Sequence, residues 1–503
     1  MNIRFLAASE DLDQALILGV WEGRPHPVPD MEFVQEYAAG IDAFLKQQFS
    51  RDLFSGKAGE SAVLPLWTQT GLRNIVFVGL GLPQELSPLR CEIIGGSVAG
   101  QLGELFEAHA IVEAGLTDIP GLPDHVMAAH LAIGMQLRNY RYDKWKTPVS
   151  KPRSGVLKSV SIVAVGAEEA SELYRHHASL VDGISLARDL VNEPPNTLNP
   201  ATFSSAIEHL RDDGVNIREV SEDELEELGL SAILAVGRSS PARPRLLLLQ
   251  WQGAHPDEPP VALVGKGITF DTGGLCLKPA EHMKLMKGDM AGAASVAGAI
   301  YALARGKVAV NAIGILALAE NSVSGDAYRP TDVIRTARGD TIEICHTDAE
   351  GRLALLDALW YASQYCKPRA VLSIGTLGGS GLFGLGLKYG ALYCENEEML
   401  RDVMESADTS GDLLWRLPVY DEMQEELKAS DVADYVQMPD FFTYGADSGY
   451  VYQLLKPSVT TDSWAHIEMC RLEFALKDGP TCPRGATGYG VRLLAEYSSR
   501  RGG

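Results

Sequence analysis

Residues 261–304 read VALVGKGITFDTGGLCLKPAEHMKLMKGDMAGAASVAGAIYALA and contain the strongest fold signal in the chain. The apolar run from Val261 to Val264 predicts a buried strand, and the small-residue stretch at 290–304 predicts a helix. Strands that alternate with helices are typical of a mostly parallel sheet covered by helices on both faces. This segment therefore predicts an α/β fold with its strand near the centre.

The same alternation continues on both sides of this segment. Further elements are predicted as strands at 246–251, 308–317 and 370–374 and as a helix at 353–365. Residues 166–195 form a long amphipathic stretch that Pro194 and Pro195 bring to an end. We predict a smaller N-terminal α/β domain at 1–165, a linking helix at 166–195, and a larger domain at 196–503 with a central mixed, mostly parallel sheet flanked by helices.

Charge and composition exclude some classes of protein. The chain has 503 residues with 44 Lys or Arg and 66 Asp or Glu, which gives a formal net charge of −22 and argues against a basic nucleic-acid-binding surface. No apolar run approaches the roughly 18 residues of a membrane span, and the N-terminal residues do not read as a secretory signal. Seven cysteines without regular spacing indicate reduced thiols. We therefore expect a cytoplasmic protein that does not bind membranes.

Polar residues interrupt the apolar pattern of the central segment. Lys266 follows the predicted strand, where burial disfavours its charge and can leave a neutral amine able to bind a metal. The tight turn that Gly273 and Gly274 allow would bring Lys266 and Asp271 together. Asp289 precedes the small-residue helix, whose positive N-terminus favours a carboxylate.

A second polar group lies in residues 341–356, which read TIEICHTDAEGRLALL. Asp348, Glu350 and Arg352 are spaced two apart, which places their side chains on one face of an extended chain and separates them on a helix. We therefore expect all three on a strand end or loop, before a helix that begins near Leu353.

Together these residues predict a metal site. The carboxylates are those of Asp271, Asp289, Asp348 and Glu350. Their four negative charges would balance two divalent cations, and a neutral Lys266 would add a nitrogen ligand. Such an oxygen-rich set without histidine suits Mn²⁺, Mg²⁺ or Zn²⁺, and two neighbouring ions can activate water for attack on a carbonyl. Lys278 and Arg352 remain as cations that can face the site.

Each residue taken singly has a plainer interpretation. Asp289 could cap a helix, Lys266 could extend to the surface, and the second acidic group could be a solvated turn. The signatures GxxxxGK[ST], GxSxG and HExxH are absent from the sequence. A formal GxGxxG at 379–384 is followed by more glycines, so a loop is expected there in place of a dinucleotide site.

Two motifs carry a resemblance to a known family. VGKGITFDTGGLCLKP with MKGDM, and HTDAEGRL at 346–353, resemble the two signatures of the leucyl or cytosol aminopeptidases, which are dinuclear metallo-exopeptidases. Looser similarity runs from about Arg188 to the GATG at 485–488. The resemblance implies a catalytic metallopeptidase domain at 196–503 that releases N-terminal amino acids, broadly of the leucine type, from peptides with a free N-terminus.

The resemblance also implies a role for each polar residue. The metal ligands would be Lys266, Asp271, Asp289, Asp348 and Glu350. Asp271 and Glu350 would bridge both ions, Lys266 and Asp289 would complete the tighter site, and Asp348 the more exchangeable one. Of the remaining cations, the catalytic residues would be Lys278, which polarises the scissile carbonyl, and Arg352, which holds a bicarbonate ion as general base.

A substrate pocket and an assembly are implied as well. The segment WAHIEMCRLE at 464–473 resembles the family's WTHLDIAGVM. It completes a pocket for the first substrate side chain, formed by Met286, Thr376, Gly379, Cys470 and Glu473. A carboxylate at Glu473 could pair there with a basic substrate side chain, or it could point to solvent if the alignment slips after Cys470. The family resemblance further implies a homohexamer.

Two departures from the family pattern and two alternative activities remain open. His346 stands where Asn is usual and could either pack or titrate beside the site, and Gly378 removes a hydroxyl from the TLTG loop. Cysteinylglycine hydrolysis is an alternative within the enzyme class. A DNA-binding accessory role would need the basic stretch RNYRYDKWKTPVSKPR at 138–153, and the net charge argues against it.

Overall fold

The computed structural model describes residues 1–8, 14–25, 27–28, 32–68, 71–113, 122–150, 155–439 and 446–502. The chain forms two compact units. The first comprises residues 1–181 and 475–484, and the second comprises 182–474 and 485–503. The domain limits derived from the sequence remain predictions about independent folding units, which limited proteolysis would locate.

The first unit is built on a seven-stranded sheet. Its strands are β1 (Asn2–Leu6), β2 (Ala15–Trp21), β3 (Pro27–Val28), β4 (Ser61–Thr68), β5 (Gly71–Gly81), β6 (His109–Glu113) and β7 (Ser159–Val163). Along the order β1-β7-β6-β2-β5-β4 every pairing is parallel except β4 with β5, and β3 pairs antiparallel with β2.

Helices cover this sheet on both faces. They are α1 (Glu32–Ser50), α2 (Pro88–Glu104) and α3 (Asp124–Arg138), followed by α4 (Ala167–Asn192), which runs on into the second unit. Successive residues of β2 alternate between two separate cores, because strand side chains point to opposite faces: Ile17 packs with α2 and α3, and Leu16 packs beside Ile41 and Leu45 of α1.

The second unit contains an eight-stranded sheet in the order β16-β15-β18-β14-β10-β11-β9-β8. Its strands are β8 (Asn216–Val220), β9 (Arg245–Gln252), β10 (Val261–Asp271), β11 (Asn311–Asn321), β14 (Ala370–Gly375), β15 (Gly390–Tyr393), β16 (Leu414–Arg416) and β18 (Trp464–Glu468). The four central strands, β18-β14-β10-β11, are all parallel, and antiparallel pairs flank them. This mixed, mostly parallel sheet confirms the predicted fold class.

Further helices and two small sheets lie in the remainder of the chain, from Pro200 onward. The helices are α5 (Pro200–Ala206), α6 (Glu222–Glu227), α7 (Ser231–Gly237), α8 (Ala280–Met283), α9 (Ala291–Arg305), α10 (Glu350–Tyr361), α11 (Ser380–Leu385), α12 (Glu397–Ser410), α13 (Asp421–Leu427), α14 (Asp447–Leu455) and α15 (Val491–Arg500). The small sheets contain β12 (Val333–Arg335), β13 (Thr341–Glu343) and β17 (Tyr435–Val436), and β19 (Phe474–Ala475) with β20 (Gly485–Ala486). Among the described helices, none combines the length and the apolar composition needed to cross a bilayer.

The central strands bring their polar residues to one edge of the sheet. Because parallel strands end at the same side, the carboxyl ends of β10, β11, β14 and β18 lie together. Asp271, Asn321, Gly375 and Glu468 are the last residues of these four strands. This edge therefore carries Asp271 and the loops that follow β10 and β14.

Candidate metal centre

Lys266 lies in the middle of β10, and only 3% of its side chain is exposed. The strand continues to Asp271, so the prediction that Lys266 follows the strand is wrong. Its Nζ lies 2.8 Å from Asp289 Oδ1 and 3.0 Å from Glu350 Oε1, and it donates to the carbonyl of Thr376 at 2.6 Å. The buried ammonium therefore joins three separate segments of the chain, and the surface interpretation of Lys266 does not hold.

Lys278 occupies the opposite side of the carboxylate group. Its Nζ lies 2.7 Å from Asp271 Oδ2 and 2.5 Å from Asp348 Oδ1. Gly273 and Gly274 have φ angles of 85° and 63°, the left-handed region that favours glycine. The turn they make reverses the chain after β10 and returns Lys278 to Asp271. The Asp271 charge also acts on Lys266.

The four carboxylates form the donor set that a divalent metal site needs. One oxygen each from Asp271, Asp348 and Glu350 lie within 4.8 Å of one another. Asp289 Oδ2 and Glu350 Oε2 are buried, and no group in the described part of the chain donates a hydrogen bond to them. Buried carboxylate oxygens without donors are costly unless a cation or proton meets them, so the cluster fits divalent cations.

The pKa values in the cluster reflect burial and crowding. Burial opposes the charge of Lys266, but Asp289, Glu350 and Asp271 outweigh it and raise the lysine pKa above its ordinary value. Burial also raises the pKa of Asp289, with Glu350 and Asp271 adding to the rise against the effect of Lys266. The neutral amine predicted from burial alone therefore requires a cation that competes with the proton.

Asp289 does not cap the helix that follows it. Helix α9 begins at Ala291, and its preceding residue, Met290, makes no side-chain capping bond. Asp289 Oδ1 instead accepts hydrogen bonds from Lys266 and from the Thr376 hydroxyl at 2.7 Å. The Asp289 carboxylate thus faces Lys266 and the other carboxylates, as the metal-site hypothesis requires.

The second acidic segment differs from its predicted conformation. Helix α10 begins at Glu350, three residues before the predicted start, so Glu350 and Arg352 both belong to its first turn. Arg352 is buried, its Nη1 donates to the carbonyl of Gln437 at 3.2 Å, and no described group accepts from its Nε. Burial lowers the Arg352 pKa, and the nearby carboxylates of Asp447, Glu350 and Glu468 oppose that shift.

Comparison with known proteins decides the family. The profile of the cytosol aminopeptidase family, catalytic domain, matches residues 185–495, and that of its N-terminal domain matches residues 17–148. The chain belongs to the cytosol aminopeptidase family. Membership confirms the predicted metal-dependent aminopeptidase activity and makes the protein a hydrolase of the metallo-exopeptidase type.

Two relatives and one solved structure match this chain over nearly its full length. A probable cytosol aminopeptidase of Brucella anthropi is 38% identical over 463 residues, which cover 91% of each chain. A probable cytosol aminopeptidase of Rickettsia felis is 31% identical over 501 residues, 99% of each chain. The solved structure of the bottromycin maturation enzyme BotP in complex with Mn has a TM-score of 0.83 and 29% identity, covering 98% of this chain and 100% of that chain.

In this cytosol aminopeptidase the loop after β14 is held by two carboxylates that the sequence did not indicate. Glu468 accepts from the backbone N–H groups of Leu377 and Gly378, and Asp447 accepts from those of Gly379 and Ser380. The backbone amides of four successive residues, 377–380, thus donate hydrogen bonds to these two side chains. Thr376 of this loop contacts the carboxylate cluster: its hydroxyl donates to Asp289, and its carbonyl accepts from Lys266.

The same packing explains the glycine that departs from the family pattern. A Cβ built on Gly378 would lie 2.3 Å from Ser448 Oγ and 2.8 Å from Asp447 Cγ. No side chain fits there while Asp447 binds the loop. The following glycines also differ from the expected loop, because a short helix, α11, spans Ser380–Leu385.

The five predicted pocket residues lie on three segments that border the metal cluster. Met286 lies in the turn just before Asp289, while Thr376 and Gly379 lie on the loop after β14. Cys470 and Glu473 follow β18, and the Cys470 sulfur packs against Gly381. The structure therefore brings these segments together, and the roles of the residues remain predictions.

Several supporting residues were not found from the sequence. Asn321 donates from Nδ2 to Asp271 Oδ1 at 2.8 Å and to the carbonyl of Thr347 at 3.0 Å. The Thr347 hydroxyl donates to the carbonyl of Gly273 at 2.7 Å. The position of Asn321, at the end of a strand beside β10, was the available signal. His346 is exposed, and its Nδ1 accepts from the Asp348 amide at 3.2 Å, so it does not pack into the core.

Proposed function

We propose that the buried carboxylate cluster holds two divalent cations, either Mn²⁺ or Zn²⁺, with Mg²⁺ as a further candidate. The proposed ligands are Lys266, Asp271, Asp289, Asp348 and Glu350. The observation that carries this proposal is the convergence of Asp271, Asp348 and Glu350 within 4.8 Å. The Mn in the BotP structure, a full-length structural relative, supports the choice of a divalent ion.

Bound cations would supply an activated water molecule and an electrophile for the peptide carbonyl. They would also neutralise Asp271 and Asp348, which now bind the Lys278 ammonium. Lys278 would then be free to turn toward a substrate carbonyl oxygen. A fixed positive charge placed where negative charge develops stabilises the transition state.

Arg352 is proposed to hold an anion, with bicarbonate as the candidate. The Nε of this buried guanidinium has no acceptor within the described residues, so it retains a donor for such an ion. Bicarbonate bound there would act as a general base. Burial lowers the Arg352 pKa and the nearby Asp447, Glu350 and Glu468 oppose that shift, so a bound anion would add to the groups that favour the charged guanidinium.

The proposed substrates are peptides with a free N-terminus, and the proposed setting is a homohexamer in the cytoplasm. The family resemblance supports this assembly, and sedimentation or light scattering would test it against six times the chain mass of 54.3 kDa. The basic stretch considered for DNA contains Arg138, which pairs with Asp478 at 3.1 Å, and Lys146, which pairs with Asp143 at 2.5 Å. Residues 151–153 of that stretch lie outside the described residues.

An activity assay tests the proposed function directly. Metal-free protein is reconstituted with Mn²⁺, Zn²⁺ or Mg²⁺ and presented with leucyl amides, dipeptides and cysteinylglycine. Metal-stimulated release of the N-terminal residue is expected, with no release from N-acetylated leucyl amide because its amine is blocked. Absence of turnover on every free-amine substrate would contradict the proposal.

A further inference from the structure

A strained turn follows β18, directly beside the metal cluster. Cys470 and Arg471 have φ angles of 52° and 69°, so two successive residues with side chains adopt the left-handed region. This conformation is unfavourable for both and persists only where the surroundings fix it. The Cys470 amide donates to Glu468 Oε1 at 3.4 Å, and the Leu472 amide donates to the carbonyl of Met469 at 2.9 Å.

The turn directs Glu473 against the segment that carries a proposed metal ligand. A Cβ built on Gly288 would lie 3.2 Å from Glu473 Cγ, so the glutamate side chain packs on the backbone of Gly288. Gly288 immediately precedes Asp289. The positive charge of Lys266 also acts on the Glu473 carboxylate. Glu473 therefore borders the cluster and does not point away into solvent.

The Glu473 carboxylate has one oxygen without a donor. Oε2 is buried, and no described group donates a hydrogen bond to it, although the residue as a whole keeps part of its surface accessible. Burial raises the Glu473 pKa, and a hydrogen bond from its own backbone amide and the charges of Arg471 and Lys266 act in the opposite direction. A buried carboxylate oxygen without a donor is costly, and that cost falls when a ligand brings the missing cation.

We propose that Glu473 is a specificity-determining residue that selects substrates whose first side chain carries a positive charge, such as lysine or arginine. This inference rests on the proposed function, because it places the substrate's N-terminal residue beside Asp289. The apolar neighbours Met286 and Phe474 would contact the methylene groups of such a side chain, and Glu473 Oε2 would accept from its charged end. A leucine side chain would leave Glu473 Oε2 without a hydrogen-bond donor.

The test compares two substrates that differ only in the terminal ammonium group. Lysyl and norleucyl amides have the same four side-chain carbons, and norleucine lacks the terminal ammonium group and its charge. For the Mn²⁺-loaded wild-type enzyme, kcat/KM is expected to be about tenfold or more higher for the lysyl amide. In Glu473→Gln, which keeps the shape and removes the charge, this ratio is expected to fall to about one, because the lysyl ammonium loses its charged partner.

Controls separate this inference from simpler explanations. Glu281→Gln removes an exposed carboxylate from α8 and should leave the lysyl-to-norleucyl ratio unchanged, which tests for a general charge effect. If the ratio is the same in the wild type and Glu473→Gln, the inference is overturned while the aminopeptidase activity stands. If wild-type protein turns over neither amide nor leucyl amide, the proposed function itself fails.

Folding of the variant is checked separately. Metal content and thermal melting of Glu473→Gln should match the wild type. Should the variant not fold, the wild-type ratio decides alone: preference for lysyl over norleucyl amide supports the inference, and a ratio of one or below overturns it.

Discussion

At the scale of single residues, the site is defined by two lysines on opposite sides of four carboxylates. Lys266 binds Asp289 and Glu350, and Lys278 binds Asp271. The Lys266 side chain is 3% exposed and the Lys278 side chain is 15% exposed, and this difference agrees with the different role proposed for each. The buried lysine would be a metal ligand, and the more accessible one would face the substrate.

Replacing Lys278 separates catalysis from metal binding. Lys278→Ala should keep its metal, because the four carboxylates remain, but should lower kcat by about 10²–10³, as expected for loss of a group that stabilises an oxyanion. Metal analysis and steady-state kinetics check both parts. Lys284→Ala, an exposed lysine a few residues away, serves as the matched control. Normal turnover in Lys278→Ala would remove this residue from the mechanism.

The convergence of Asp271, Asp348 and Glu350 could be predicted from sequence because these residues lie in two short segments rich in polar residues, and their role as metal ligands remains a prediction. Asp447 and Glu468 could not be predicted, because each stands alone in its segment and acts on a loop far away in the chain. Glu468 accepts from Leu377 across 91 positions. Such pairings depend on which strands are neighbours, which local spacing does not determine.

At the scale of elements, the start of α10 shows how local spacing can mislead. The two-residue spacing of Asp348, Glu350 and Arg352 indicated an extended chain, yet the last two belong to the first turn of a helix. Glu350 is the first residue of this helix. A carboxylate is favoured there because the helix N-terminus carries a partial positive charge. The strand at β10 was predicted correctly at its start and too short at its end, because Lys266 and Asp271 are polar residues inside it.

The loop after β14 offers a test of packing at this scale. Gly378→Ala should destabilise the folded state by about 1–3 kcal/mol and lower kcat, because the new Cβ meets Ser448 and Asp447. Gly384→Ala is the matched control, since a Cβ there meets nothing within 4 Å. Chemical denaturation and kinetics measure both variants. Equal stability of the two would contradict the packing described for this loop.

At the scale of the whole molecule, most of the fold followed from the alternation of strands and helices. The mostly parallel sheet and the two-part organisation were correct in outline, since buried parallel strands leave long apolar runs. The antiparallel flanking strands and the small sheets were not predicted, because their order depends on contacts between distant segments.

Stability of the second unit should depend on pH through a buried acid. Asp357 of α10 accepts from the Ile233 amide of α7 at 2.9 Å, and burial raises its pKa to about 7. Between the unfolded pKa of about 3.9 and this value, only the folded state holds the proton, so the free energy of unfolding falls as pH rises. Relative to a pH below the unfolded pKa, the loss should approach about 4 kcal/mol by pH 8, and about 2–3 kcal/mol of it should fall between pH 5 and pH 8.

Asp357→Asn should flatten this dependence. Denaturant unfolding at pH 5, 6, 7 and 8 would show a smaller decline for the variant than for the wild type. The control Asp257→Asn removes a carboxylate whose side chain is 93% exposed, and it should follow the wild-type curve. Parallel curves for Asp357→Asn and the wild type would show that Asp357 does not titrate in this range.

The most direct test of the central claim is metal content measured together with turnover in Asp271→Asn. Wild-type protein should bind about two divalent ions per chain, as four carboxylate charges can balance. Asp271→Asn removes the charge proposed to contact both ions, so metal content and leucyl amide turnover should fall together, whereas Asp257→Asn should change neither. Unchanged metal content in Asp271→Asn would contradict the assigned ligand set.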